Sequence, residues 1–155
     1  MIFYLFPYAL MSLGAFTCLS HLGRGSEDRE SFDSFRGLSK SHPILSAGIL
    51  ILMASFAGIP PTSGFWGKFY VFGQAIETGH WGLALTGIVT SVISVYYYLG
   101  LVVAMYMQPP GDSVPVDLEP RTAGKLAITL AVAAVALAGL FPDVFFRLSA
   151  EYGLR

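Results

Sequence analysis

The stretch AGIPPTSGFWGKFYVF, residues 57–72, interrupts a long apolar run that extends from residue 44 to residue 76. Its two adjacent prolines, Pro60 and Pro61, each lack a backbone N–H and clash with a carbonyl one helical turn back. Ile59, which precedes the first proline, is biased away from helical angles. An apolar helix that enters this stretch is therefore expected to stop and to start again beyond it.

Glycines and hydroxyl residues flank the two prolines. Gly58 and Gly64 give the backbone freedom to turn. Thr62 and Ser63 carry the hydroxyls that are typical of helix N-caps, so a second half-helix is expected to restart there. We therefore predict a discontinuous helix whose break is formed by Gly58, Pro60, Pro61 and Gly64.

The composition of the chain is that of a membrane protein. Of its 155 residues, 54% are hydrophobic and 12% are charged, whereas an average soluble domain carries about 25% charged residues. The formal net charge of -1 and the lack of a basic patch with interleaved aromatics give no indication of nucleic-acid binding. The single cysteine, Cys18, lies in an apolar stretch and is expected to be a small buried hydrophobe.

Four hydrophobic segments each exceed the ~20 helical residues that cross a bilayer core of ~30 Å. Backbone groups in hydrocarbon must pair within the chain, so these segments are expected to be helices. We predict an all-α membrane protein with one transmembrane domain, residues 1–155, and four transmembrane helices over about residues 2–22, 43–77, 81–107 and 123–148. The second is the discontinuous one, since ~35 residues of straight helix would extend over ~50 Å.

Basic residues between the segments predict the orientation in the membrane. The connection 23–42 holds four Lys and Arg residues, whereas the turn 78–80 holds none. Positive residues favour the cytoplasmic side. We therefore expect a multi-pass protein in the lipid bilayer with both termini on the outer side.

Lys68 is the one charged residue between residues 43 and 76. A lysine can snorkel to the interface, but Thr78 is ten residues away, ~15 Å along a helix. Helical side chains also point toward their own N-terminus, so we expect Lys68 to point back to the break. An ionisable group inside a membrane is by default a functional residue. Removal from water favours the neutral amine, so Lys68 is predicted to act as a proton relay and not as a bond-making catalyst.

Small and polar residues recur at three- and four-residue spacing on the third segment. Two interpretations of Ser91, Ser94 and Tyr98 stay open: helix packing, with hydroxyls bonded to their own backbone, or the lining of a proton channel beside the break. The sequence shows no cluster of metal ligands, no cysteine pair and no nucleotide-binding glycine loop. No metal or cofactor site is therefore expected.

The same stretches resemble a known family, and the resemblance covers essentially the whole chain. FRGLSKSHPILSAGILILMASFAGIPPTSGFWGKFYVF, residues 35–72, is similar to the discontinuous twelfth helix, with its preceding loop, of subunit N of bacterial NADH-quinone oxidoreductase (respiratory complex I). FYLFPYALMSLGAF (3–16) is similar to the eleventh helix, VTSVISVYYYLGLVVAMY (89–106) to the thirteenth and LAGLFPDVFF (137–146) to the last. The family relatives are the other antiporter-like subunits of complex I and the multisubunit cation/proton antiporters.

The resemblance implies a membrane-arm subunit that takes part in proton translocation coupled to quinone reduction. In this family the lysine of the Gly-Lys-Phe motif belongs to the outer half of the proton channel, which implies that role for Lys68. The implied partners are the other membrane-arm subunits, including neighbouring antiporter-like subunits, in the cell inner membrane with the termini on the periplasmic side. NADH, FMN, iron–sulfur clusters and quinone are implied for partner subunits, and no cofactor is implied for this chain.

Two departures from the family matter. Family chains have fourteen helices, and the segments here match the last four, so the chain is expected to be a C-terminal fragment that does not pump protons by itself. The family's tyrosine triplet is usually followed by Leu-Arg, whereas Leu99 and Gly100 follow it here. No role of that arginine is carried over.

Two alternatives to the complex I hypothesis remain. A subunit of a multisubunit sodium/proton antiporter would share the chemistry of Lys68. In a non-conducting membrane scaffold, Lys68 would pair statically with a carboxylate elsewhere and would never release its proton.

Overall fold

A computed structural model of the chain describes residues 2–22, 35–110 and 122–142. The helices in these ranges are α1 (Ile2–Leu22), α2 (Leu38–Ser41), α3 (Pro43–Ala57), α4 (Ser63–Glu77), α5 (Trp81–Met107) and α6 (Thr122–Leu140). No strand occurs in the same ranges. The described part of the chain is therefore all-α, as predicted.

The helix bounds differ from the predicted segments in two places. A short helix, α2, lies at the end of the polar connection, and Gly37 precedes it in the left-handed conformation (φ 67°) with its N–H bonded to the Ala104 carbonyl at 3.1 Å. The sequence predicts the last helix to continue to residue 148, whereas α6 ends at Leu140. Pro142 disfavours helical angles at Phe141, which explains this end. Residues 143–148 lie outside the described ranges.

One helix among the described residues, α5, is both long and apolar enough to cross a membrane by itself. Its 27 residues extend over ~40 Å at ~1.5 Å per residue. Shorter apolar stretches cover Tyr8–Cys18, Pro43–Ala57 and Leu126–Leu140. The count of four transmembrane helices stays a prediction.

The core lies where α1, α3, α5 and α6 meet. α1 packs against α6, and α3 packs against α5. Leu52, Met105 and Val135 are fully buried in the shared core, and Cys18 is 2% exposed, in agreement with its predicted role as a small buried hydrophobe. A Cβ built on Gly14 would lie 2.8 Å from the Cβ of Ala131, so α1 and α6 approach closely through small residues.

Candidate functional site

Helix α3 ends in a turn that uses two of its last free carbonyl groups. Gly58 adopts the left-handed conformation (φ 79°, ψ 37°), which glycine reaches without a steric penalty. Its N–H donates to the Ser55 carbonyl, and the N–H of Ile59 donates to the Ala54 carbonyl, both at 3.0 Å. This pair of hydrogen bonds forms a Schellman motif. The next carbonyl toward the helix end, that of Phe56, remains available for another donor.

Pro60, Pro61 and Thr62 form the turn between the two half-helices. The Thr62 N–H donates to the Ile59 carbonyl at 3.1 Å, and the Thr62 hydroxyl donates to the same oxygen at 2.7 Å. Thr62 occupies the N-cap position of α4 in an extended conformation, but its hydroxyl makes no capping bond to that helix. The N-cap position is therefore where the sequence predicts it, whereas the capping group comes from elsewhere.

Ser55 of α3 supplies that capping group. The N–H of Gly64 donates to the Ser55 hydroxyl at 3.1 Å, and the Ser63 hydroxyl lies 3.4 Å from the same oxygen. Ser55 and Ser63 are fully buried. A free N–H at a helix start needs such a partner when it is buried.

Gly64 has a different role from the one the sequence predicts. It lies in the first turn of α4 and not in the turn between the half-helices. A Cβ built on it would overlap the backbone carbonyl oxygen of Ser55. Its missing side chain therefore allows the start of α4 to touch the end of α3, whereas the positive φ that the turn needs is supplied by Gly58.

Lys68 reaches back from α4 to the end of α3. Its Nζ donates to the Phe56 carbonyl at 2.8 Å. The side chain passes over Gly58, where a built Cβ would lie 3.3 Å from the Lys68 Cδ. The direction predicted from helical geometry is the direction observed, and the side chain is partly buried.

The end of α3 favours a positively charged amine, and the amine has more hydrogen-bond donors than this one acceptor uses. A helix C-terminus carries a partial negative charge from its free carbonyls, which favours a nearby cation. A lysine ammonium has three N–H donors. One of them binds Phe56, which leaves two for water or another acceptor. Within the described ranges, no group of three or more His, Cys, Asp or Glu residues lies close enough together to hold a metal ion.

The ring of Phe56 is held between two tyrosines. Tyr98 of α5 stacks on it, with ring centroids 5.4 Å apart and an interplanar angle of 22°. Tyr8 of α1 meets it edge to face at 5.9 Å. Tyr98, which the sequence names as a possible channel-lining residue, thus contacts the residue that accepts the Lys68 hydrogen bond.

The two serines of α5 differ from Tyr98 in the contacts that they show. Ser94 donates its hydroxyl to the Thr90 carbonyl at 2.8 Å, which is a bond within its own helix. Ser91 is partly buried on the same helix. A channel-lining role for Ser91, Ser94 and Tyr98 stays a prediction.

The end of α6 packs on the break. The indole N–H of Trp66 donates to the Gly139 carbonyl at 3.0 Å. A Cβ built on Gly139 would lie 2.7 Å from both the Ser63 nitrogen and the Thr62 carbonyl carbon. Gly139 therefore packs directly on the backbone where α4 restarts.

Four residues of this site are missed by the sequence analysis: Ser55, Phe56, Trp66 and Gly139. A glycine in an otherwise apolar helix is a signal of close backbone approach, so the pattern around Gly139 carries a hint. Nothing in the sequence signals the Phe56 carbonyl, because any backbone carbonyl can accept a hydrogen bond.

Comparisons with known proteins indicate the family to which the chain belongs. The family model described as "NADH:quinone oxidoreductase/Mrp antiporter, TM" matches residues 1–94. The chain is 38% identical over 145 residues to NADH-quinone oxidoreductase subunit N 1 of Koribacter versatilis, covering 94% of this chain and 28% of the relative. It is 42% identical over 143 residues to the protein of the same name from Solidesulfovibrio magneticus, covering 92% of this chain and 31% of the relative.

A solved structure is similar as well. The structure of respiratory complex I from Thermus thermophilus with bound aureothin contains a chain that is 36% identical, with a TM-score of 0.78. The match covers 91% of this chain and 32% of that one. The present chain thus spans about a third or less of the length of the relatives it matches. From the family match, the sequence identities and the shared fold together, the chain belongs to the NADH:quinone oxidoreductase/Mrp antiporter family of transmembrane proteins and corresponds to part of subunit N of NADH-quinone oxidoreductase.

Proposed function

We propose that the chain works as part of a membrane-arm, antiporter-like subunit of an NADH-quinone oxidoreductase and that Lys68 relays protons in the outer half of its channel. The observation that carries the proposal is the hydrogen bond from Lys68 Nζ to the Phe56 carbonyl at 2.8 Å. It holds an ionisable amine at a break between two apolar half-helices. Irregular backbone at membrane depth is tolerated where it is buried in protein or lines a watery cavity.

The relay requires few parts from this chain. The Schellman turn ends α3 and leaves the Phe56 carbonyl to fix one N–H of the amine. The remaining N–H groups can donate hydrogen bonds to water that enters the break. One of them can also transfer its proton to that water. Loss of the proton needs no movement of the backbone, and its return restores the ammonium. NADH, FMN, iron–sulfur clusters and quinone belong to partner subunits in this proposal.

The names of the relatives favour complex I over the sodium/proton antiporter alternative. The family description covers both kinds of protein, whereas the relatives and the solved structure compared above are all complex I proteins.

We further propose that the chain lies in the cell inner membrane, with four transmembrane helices and both termini on the periplasmic side. The proposed partners are neighbouring membrane-arm subunits and lipid.

The test uses the full-length subunit in the assembled complex, with Lys68→Met and Lys68→Arg as variants. Proton transfer by a positioned side chain contributes roughly 100-fold or more, so Lys68→Met should abolish this subunit's share of the protons moved per NADH oxidised. Lys68→Arg keeps the charge but cannot release a proton. A relay therefore fails in both variants, whereas a static scaffold keeps working with Arg.

Lys40→Met is the matched control, because Lys40 is an exposed lysine on α2. Proton movement is measured in inverted membrane vesicles, and assembly is measured on a native gel. Undiminished proton movement per NADH in a fully assembled Lys68→Met complex would exclude the relay.

A further inference from the structure

The contact between Trp66 and Gly139 joins two parts of the chain that are 73 residues apart. Gly139 is buried and Trp66 is partly buried. The indole has a single hydrogen-bond donor, its N–H, which here donates to a backbone carbonyl near the end of α6. Because Leu140 is the last residue of α6, this carbonyl belongs to the final turn, where carbonyl groups lack partners within the helix.

Gly139 contacts the break as well as the indole. Its Cα faces the backbone of Pro61, Thr62 and Ser63 so closely that a side chain there would overlap the Pro61 carbonyl oxygen. The same residue therefore touches the turn that precedes α4 and binds a side chain at the end of the first turn of α4. These two contacts fix both the position and the rotation of the start of α4 against α6.

Trp66 and Lys68 hold α4 from opposite sides. They are two residues apart, which places them roughly 200° apart around a helix of 3.6 residues per turn. Trp66 binds α6, while Lys68 binds the end of α3. A rotation of α4 that releases Trp66 from Gly139 therefore also moves the Lys68 amine relative to the Phe56 carbonyl.

We propose that Trp66 and Gly139 are positioning residues for Lys68: the end of α6 sets where α4 restarts, and so sets where the amine meets its acceptor. This inference rests on the proposed function of Lys68. It assigns to the last described helix a role in the proton path, although that helix contributes no ionisable side chain at the break.

The test compares Trp66→Phe and Gly139→Ala with matched controls in the assembled complex. Trp66→Phe removes the N–H but keeps an aromatic ring to stack on Tyr70, whose centroid lies 6.3 Å away. The control for it is Trp81→Phe, since Trp81 is 65% exposed. The control for Gly139→Ala is Gly73→Ala on α4, where an added Cβ would meet nothing within 4 Å.

Loss of one hydrogen bond of ordinary strength shifts an equilibrium by about fivefold. Trp66→Phe should therefore lower by that factor the ratio of Lys68 bound to the Phe56 carbonyl (docked) to Lys68 released from it (undocked). We expect fewer protons per NADH and a displaced pH profile of proton movement, because an undocked amine meets different surroundings. Gly139→Ala should act in the same direction, and both controls should match the unmodified complex.

Three results would overturn the proposal. In the first, Trp66→Phe retains normal proton movement and an unchanged pH profile, while Lys68→Met is impaired. In the second, both test variants lower only the amount of assembled complex, which is a purely structural effect. In the third, Lys68→Met itself moves protons normally, so that the proposed function fails and the positioning role fails with it.

Discussion

Ser46 and Ser55 lie on the same helix and are both fully buried, but their hydroxyls differ in what they bind. The Ser55 hydroxyl accepts the N–H of Gly64. The Ser46 hydroxyl has no hydrogen-bond partner among the described residues. A buried polar group without a partner lowers stability, whereas removal of one partner from a buried pair leaves the other unsatisfied.

We therefore expect opposite results from the same substitution at these two sites. Ser55→Ala should destabilise the protein by about 1–3 kcal/mol, because it orphans the Gly64 N–H. Ser46→Ala should be neutral or slightly stabilising. Thermal unfolding of the detergent-purified complex measures both, and an equal loss at the two positions would contradict the difference in partners.

Gly58 and Gly79 allow a second matched comparison of single residues. Both have positive φ, 79° and 80°, so alanine at either one should cost about 1–2 kcal/mol from the left-handed conformation. Only Gly58 has the Lys68 side chain within contact distance, whereas nothing lies within 4 Å of a Cβ built on Gly79. Gly58→Ala should therefore lower proton movement per NADH and Gly79→Ala should not. Equal activity in the two variants would show that the contact with Lys68 is unimportant.

At the scale of helices, α3 and α4 are linked in both directions across the break. A side chain of α3, Ser55, binds the first turn of α4, and a side chain of α4, Lys68, binds the last turn of α3. Each half-helix thus satisfies backbone groups that the other leaves free. This mutual arrangement explains how a break of five residues can persist between apolar helices.

The close approach of the two half-helices depends on Gly64. Gly64→Ala places a methyl group against the Ser55 carbonyl, and backbone atoms cannot move aside as a side chain does. Overpacking of this kind costs typically 1–3 kcal/mol. We expect a lowered thermal midpoint for Gly64→Ala and an unchanged or raised one for Gly73→Ala, an open helical position. A midpoint for Gly64→Ala that equals that of Gly73→Ala would show that α4 is free to shift.

The sequence predicts helices well here because their limits are set locally. Pro43, the pair Pro60–Pro61 and the short turn before Trp81 each act on neighbouring residues, and the bounds of α3, α4 and α5 follow from them. The backward direction of Lys68 is also a local property of a helix.

The partners of these residues could not be predicted in the same way. Gly139 meets Trp66 only after α6 has packed on the break, and no local rule brings residues so distant in sequence together. The hydroxyl of Thr62 can bind forward to its own helix or back to the preceding turn. In the structure Thr62 makes the backward bond, and the Ser55 hydroxyl accepts the N–H of Gly64 at the start of α4.

At the scale of the whole molecule, α5 presents a long apolar surface. Tyr96 and Met107 on this helix are 78% and 80% exposed, and Leu85 and Val92 are each 65% exposed. Soluble monomers rarely expose a continuous apolar patch of this kind. The surface suits a member of a transmembrane family, in which lipid or further helices cover it.

The proposed orientation can be tested with single cysteines. Lys40 and His80 are both exposed, and they lie on the connection and on the turn that the charge pattern assigns to opposite sides. In a Cys18→Ser background, a membrane-impermeant maleimide should label Lys40→Cys in inverted vesicles and His80→Cys in spheroplasts. The reverse labelling would invert the proposed topology.

The acceptor of the Lys68 hydrogen bond is uncharged, and this affects how easily the amine can release its proton. A carboxylate would attract the ammonium strongly. It would oppose deprotonation, because the neutral amine would lose that attraction. A carbonyl oxygen only accepts hydrogen bonds, and both the ammonium and the neutral amine can donate to it. The Phe56 carbonyl can therefore hold the Lys68 nitrogen in place both before and after deprotonation. The geometry of the site is then the same in its charged and neutral states.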